Sequence, residues 1–292
     1  MNEHLHIVQT PEGFSVHIPA GKQEITPVQL YIQASSAPSL RNRIVMEAGS
    51  SASIAVSYLS ADEPAGNTYT EDFTEVQLAE NASLHLVQVQ QLSSSAVLKT
   101  CTTVSQAAGS NMTTHYASLS GNDIRNTLNV TLSGEKAEHI ACGLAFTKDT
   151  EHITNNVQII HASPNCHSNQ LFRHILAGKS TGNFTGRIVV NKGAQKTAAY
   201  QRSSNILLDN SAKMEIQPQL EIYADDVKCS HGATVGQLDV EALFYLQSRG
   251  IDKKEAEKIL LLAFAEDVLK DINIQNVKDE IIQHVNEKLI TY

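Results

Sequence analysis

Tryptophan is absent from the 292 residues, and aromatic residues of all kinds make up only 5%. A core without large rings must be filled by Val, Ile, Leu and Ala, which suits small layered repeats. Basic charge is scarce as well. Lys and Arg number 22 against 31 Asp and Glu, for a formal net charge of -9. With no basic run or basic amphipathic helix, an electrostatic nucleic-acid binder is excluded. No apolar run approaches the ~18 residues of a membrane span. The opening M-N-E-H-L-H-I-V-Q-T-P-E-G lacks a positively charged stretch followed by an apolar one, so no secretion signal is read there. The four cysteines, Cys101, Cys142, Cys166 and Cys229, are widely spaced. Without a secretion signal they are expected as reduced thiols in a cytoplasmic protein. The motifs GxxxxGK[ST], GxGxxG after a strand, G-x-S-x-G, H-E-x-x-H and paired C-x-x-C are all missing, so no enzyme template is supported.

What is present is a texture. At 41% hydrophobic residues the chain is globular. From Pro27 to Val235 short alternating runs such as S-I-A-V-S-Y-L, S-L-H-L-V-Q-V-Q, N-T-L-N-V-T-L and V-Q-I-I-H are separated by small or polar residues. The turns look related: E-A-G-S-S, L-A-E-N-A-S, Q-A-A-G-S, S-G-E-K-A and L-D-N-S-A each lead into a strand. The first three recur at roughly 30 residues, the spacing of stacked repeat architectures. A mainly β solenoid is expected, with a β-sandwich as the structural alternative.

At Gly236 the period changes. D-V-E-A-L-F-Y-L-Q-S-R-G predicts a helix with Val240, Leu243, Phe244 and Leu246 on its apolar side and Gly250 past its end. Asp252 with Glu255 forms a capping box for a second helix carrying Ala256, Ile259, Leu260, Ala263, Phe264 and Val268. A third, over 276–289, carries Val277, Ile281, Val285 and Leu289. The expected division is residues 1–235 as β-body, the first 25 or so being a lead-in, and 236–292 as a helical unit. Those helices could shield the open end of the solenoid or dock a partner.

The joint between the two parts, Gln217 to Gly236, holds the most suggestive chemistry. Side chains at i and i+2 of a strand share a face, so Cys229 and His231 project together while Lys228 and Ser230 turn away. A thiolate and an imidazole can share a soft or borderline metal, but two ligands do not close a site. The missing ligands would come from elsewhere, naturally from a second subunit. The competing reading is ordinary packing, since most Cys and His in sheets are core or satisfied polar residues. Asp225 and Asp226 read as further ligands or as turn carboxylates. A second concentration, His161, Cys166 and His167 with His174 downstream, falls at a strand end and loop. His139 with Cys142, and His4 with His6, rank lower.

The stretches S-N-Q-L-F-R-H-I-L-A-G-K-S-T-G-N-F-T-G-R-I-V-V, A-Q-K-T-A-A-Y-Q-R-S-S-N-I-L-L and P-Q-L-E-I-Y-A-D-D-V-K-C-S-H-G-A-T-V-G, followed by L-F-Y-L-Q-S-R-G-I, carry a specific resemblance. Over about 168–268 the chain resembles the SufB/SufD family of iron–sulfur cluster assembly scaffolds, and K-C-S-H-G resembles its SufD branch. The resemblance implies a right-handed parallel β-helix with a C-terminal helical domain. It also implies a non-enzymatic subunit that pairs with a SufB-like scaffold while a SufC-like ABC ATPase docks on the helices. By the same resemblance Cys229 and His231 serve the SufB–SufD interface, where transient iron or a nascent cluster sits, with no cofactor held tightly by the isolated chain. Homodimers are possible in isolation. Family members usually carry an N-terminal helical region, whereas this chain begins almost directly with strand-like sequence. Two rival readings stand beside this one: a β-helix carbohydrate-active enzyme, and a self-contained metalloprotein using His161, Cys166 and His167.

Overall fold

A computed structural model describes residues 5–34, 39–60 and 68–290. The chain winds as a solenoid with one strand on each of two facing sheets per coil. One sheet stacks β1 (His6–Thr10), β2 (Gly13–Ile18), β4 (Ser39–Met46), β6 (Tyr69–Leu78), β8 (Val97–Gln106), β10 (Asp123–Leu132), β12 (His152–His161), β14 (Thr181–Val190) and β16 (Lys213–Ile222). The other stacks β3 (Val28–Ala34), β5 (Ser51–Ser60), β7 (Ser83–Gln91), β9 (Asn111–Ser120), β11 (Glu138–Thr147), β13 (His167–Leu176), β15 (Ala198–Leu207) and β17 (Lys228–Gly236). Pairing within both is parallel, except that β1 folds back antiparallel on β2. The expected parallel β-solenoid is therefore the fold, and the sandwich alternative falls.

The related turns build one corner of every coil. Gly21, Gly49, Asn81, Gly109, Lys136, Asn165 and Lys196 all adopt positive φ. The N–H of each donates to a carbonyl one coil on: Gly49 to Glu80 (2.8 Å), Asn81 to Ala108 (2.9 Å), Gly109 to Glu135 (2.9 Å) and Lys196 to Asp226 (2.6 Å). The left-handed conformation explains the small or Asn residues there. The turn L-D-N-S-A belongs to the opposite corner, joining β15 to β16, despite its similar composition.

Alternate residues fill the lumen. Val16, Ile44, Val76, Leu86, Leu98, Leu128, Ile159 and Phe184 are fully buried there. Two glycines make room for large neighbours: a Cβ at Gly143 would lie 2.3 Å from the Phe172 ring, and one at Gly186 would lie 1.6 Å from Gln201 Nε2. Polar residues also face inward, in one connected file. Gln90 Nε2 donates to Asn126 Oδ1 (2.6 Å), Asn126 Nδ2 to Asn155 Oδ1 (3.0 Å), and Asn155 Nδ2 to His174 Nε2 (3.0 Å). His174 therefore carries its proton on Nδ1, which donates to Asn205 Oδ1 (2.7 Å), and Asn205 Nδ2 donates to the Thr234 carbonyl of β17 (2.8 Å). The file runs from mid-body to the last strand.

Three helices follow: α1 (Val240–Ser248), α2 (Lys253–Leu269) and α3 (Gln275–Ile290). Asp239 caps α1 and Asp252 caps α2, accepting from Glu255 N at 3.2 Å, and Gly250 between them sits at φ 88°. The helices do not shield the open end. α2 and α3 lie along the outer face of the second sheet, where Leu261, Ala265, Val268, Ile281 and Val285 pack on Val87, Ala117, Leu144, Phe146 and Ile175. The α3 stripe is the expected one. In α2 the buried stripe is Ala256, Leu261, Ala265, Val268 and Leu269, while Ile259 and Ala263 are exposed. The run K-I-L-L-L-A-F-A is apolar all round, so spacing does not single out one face. Helix α1 has no fully buried residue; Val240 and Phe244 are 73% and 71% exposed.

The end of α3 is pinned by Lys288. Its ammonium is buried, donating to the Leu119 carbonyl (2.7 Å), the Phe146 carbonyl (2.5 Å) and Glu151 Oε2 (2.7 Å). Removing one partner of a buried pair leaves an uncompensated charge and costs about 3–5 kcal/mol. Lys288→Ala is expected to lower the urea stability by that order, and Lys288→Met with Glu151→Gln to recover most of it.

Burial holds the lumenal imidazoles of His139, His161 and His174 near pKa values of about 3, about 4 and about 4. His115, under the helices, is likewise at about 3. Since these folded-state values lie below the unfolded 6.5, the unfolded chain binds more protons as pH falls from 6.5 towards 4. Stability is complete above pH 6.5 and drains below it by roughly 1.4 kcal/mol per unit for each imidazole. Urea midpoints measured from pH 7.5 to 5 should fall steeply, and a His174→Asn background should lose about one proton from that slope.

Candidate functional site at the open end of the solenoid

The last coil has a neighbour on one side only. β16 pairs with β14 and β17 with β15, and neither has a further strand among the described residues. Lumen-facing positions that are sealed elsewhere are therefore half open here. Met214, Ile216 and Leu220 of β16 are partly buried, and almost every residue of β17 is exposed.

Register fixes where the expected site residues point. Cys229 pairs with Ala199 and His231 with Gln201, both buried lumen-facing residues of β15. Cys229 and His231 thus continue the inward columns Ser168–Ala199 and Gln170–Gln201 by one step, and Lys228 and Ser230 continue the outward ones. Cys229 packs at the edge of a small cluster of Ile188, Val190, Ala194, Ala199 and Ala224. Burial pushes its thiol pKa up, opposed by a backbone hydrogen bond from Ala199. His231 is exposed. The pair is a thiol and an imidazole on one rim of an open tube.

Asp225 and Asp226 belong to the corner turn. The Asp226 N–H donates to Gln195 Oε1 (2.9 Å) and its carbonyl accepts from Lys196, so they sit as turn residues and not as ligands of the pair. A cavity of about 480 Å³ lies between these strands and α2, its lining including Tyr200, Gln201, Ser230, His231, Asp267 and Lys270 but not Cys229.

The second Cys/His concentration is dispersed by the fold. His161 is buried in the lumen, bonded through Nε2 to Ser168 Oγ (2.8 Å). Cys166 sits in the corner with its thiol on the Gly134 carbonyl (3.2 Å), and His167 faces outward on Glu138 Oε1 (2.9 Å). His174 is in the polar file. Alternation and the intervening corner send these side chains three ways, which removes a self-contained metal site built from them. His139 and Cys142 likewise take opposite faces, and burial beneath the helices pushes the Cys142 thiol to about 12. His6 stacks on His17 at 6.4 Å, and His4 lies outside the described residues. Among the described residues no three His, Cys, Asp or Glu are grouped to hold a metal. Two partly buried carboxylates on the first sheet pair with cations, Asp123 with Arg125 (2.7 Å) and Glu221 with Arg187 (2.8 Å), and so offer no glycan-cleaving acid/base pair.

One feature escaped the sequence reading. Gln201, buried beside His231, needs register and packing to be seen.

A family model described as the SUF system FeS cluster assembly SufBD core domain matches residues 31–264. Iron-sulfur cluster assembly protein SufD of Escherichia coli is 35% identical over 175 residues, covering 60% of this chain and 41% of that protein. The SufD of Bacillus subtilis is 30% identical over 292 residues, covering 98% of this chain and 66% of that protein. A SufBD family protein of Synechocystis is 29% identical over 288 residues, covering 94% and 63%. This chain thus spans between 41% and 66% of these relatives' lengths. With the solenoid, its helical flank and the matched core in agreement, the chain belongs to the SufB/SufD family of iron–sulfur cluster assembly proteins, on the SufD side.

Proposed function

We infer that the chain is a SufD-like scaffold subunit. It pairs through its open last coil with a SufB-like scaffold and carries a SufC-like ABC ATPase on its helices. Cys229 and His231 face the interface where iron or a nascent cluster is handled as cargo. The observation that carries this reading is the placement of the pair: a thiol and an imidazole side by side on a strand with an unpaired edge. Thiolate and imidazole suit iron, and two ligands require others from across a seam. Free edges favour strand addition by a neighbour, and in isolation a second copy of this chain would serve. ATP hydrolysis in the partner would shift the two scaffolds and open or close the shared site. The protein works in the cytoplasm and is not itself the catalyst.

In a complex reconstituted with both partners, His231→Ala should leave co-purification and the thermal transition unchanged. Cluster yield should drop by roughly tenfold or more, since even residues that only orient a metal ligand cost 10–100-fold. Equal cluster yield would remove the site assignment.

Helix α1 supports the ATPase-docking part, because Val240, Phe244 and Tyr245 are exposed on a helix with no fully buried residue. An aromatic anchor is worth about 2 kcal/mol, or roughly 30-fold in Kd. Phe244→Glu should therefore weaken ATPase binding by that order in titration calorimetry while leaving the scaffold pair intact. Unchanged ATPase affinity would move the docking site off α1.

A further inference from the structure

Most lumenal polar side chains are satisfied: the amides of Asn126, Asn155 and Asn205 all bond within the file. Gln170 and Gln201 are the contrast. They are 0% and 4% exposed, and neither amide atom of either residue has a hydrogen-bond partner among the described residues. They occupy consecutive positions of one inward column whose next member is His231. The lumen also makes room for Gln201 in particular, since the bare Cα of Gly186 lies where any Cβ would strike its amide. A buried amide with both atoms unsatisfied, beside an exposed imidazole one strand away, is a group waiting for a partner.

We propose that Gln201 is the positioning residue for His231. Its Oε1 accepts the N–H of one ring nitrogen, which fixes the tautomer and turns the other, unprotonated nitrogen towards the cargo. Neighbouring strands lie about 4.8 Å apart, and Gln201 and His231 line the same cavity, so a change of rotamer along the flexible glutamine side chain carries its amide from Gly186 towards the ring. Metal-ligating imidazoles are held in this way by the acceptor on their second nitrogen. Gln170, one coil deeper, backs Gln201 in the same column. The proposal rests on His231 being a cargo ligand, and it adds the residue that aims it.

The test reads the ring directly and needs no cargo. In the full chain labelled at histidine ring nitrogens, two-bond 15N–1H correlation should show His231 as one tautomer in the wild type. In Gln201→Leu its two ring shifts should collapse towards the average of both tautomers, and Gln201→Glu, which keeps an acceptor, should restore the single form. The His174 ring signals report that the lumen is folded in each variant. With the partner scaffold present, Co2+ used as the probe should bind Gln201→Leu roughly 10–100-fold more weakly than wild type. An unchanged His231 tautomer in Gln201→Leu, with His174 unaltered, overturns the proposal even if His231→Ala still abolishes cluster yield. Unaltered cluster yield in His231→Ala would sink the cargo site while leaving the tautomer result to stand alone.

Discussion

The backbone donors and acceptors of the stacked strands depend on a coil above or below them. A parallel ladder cannot satisfy itself within one turn, so stacking is the condition of folding, and wherever stacking stops a row of unpaired groups is left. At the start the chain turns β1 back on β2, and this antiparallel strand runs along that edge. At the finish, β16 and β17 have no such cover among the described residues. Cys229 and His231 lie at that uncovered finish, where inward columns that are buried for several coils reach solvent. The same constraint that builds the body therefore leaves an open strand edge at its end.

The helices solve a different problem. The outer face of the second sheet is apolar over β5 to β13, with Val87, Val89, Ala117, Leu144 and Phe146 buried. Without α2 and α3 it would be an exposed patch. The buried ammonium of Lys288 adds direction to this contact by fixing how far α3 runs past the corners after β9 and β11. Helix α1, between the last strand and α2, touches α2 and half-buries Leu243 and Leu246, while Val240, Phe244 and Tyr245 stay exposed at the junction between body and flank.

Much of this was legible from residues. The solenoid could be read from the left-handed corners, because Gly49, Asn81 and Gly109 leave a compositional mark at regular spacing. The α3 stripe and the Asp252 cap were legible for the same reason: a local geometric need selects a local residue type. The shared face of Cys229 and His231 follows from strand alternation alone. Other features required the third dimension. The stripe of α2 is hidden because apolar residues surround it. Lys288 reads as a solvent lysine until α3 meets the corners of β9 and β11. His161, Cys166 and His167 are close in sequence yet diverge, since a corner intervenes and alternation then sends His167 outward. Gln201 carries no motif; only the pairing register with His231 gives it meaning.

The polar file from Gln90 to Thr234 has one more consequence. From Asn126 onward each group passes its donor forward, so the dipoles add along the tube and none there can reverse alone without setting like groups face to face. Its members act as links of one chain under a common polarity, anchored deep in the body and ending on the carbonyl of the rim strand. The mouth of the tube is in this sense held from within, and a disturbance several coils away would be felt there as loosened grip before any strand had left its sheet.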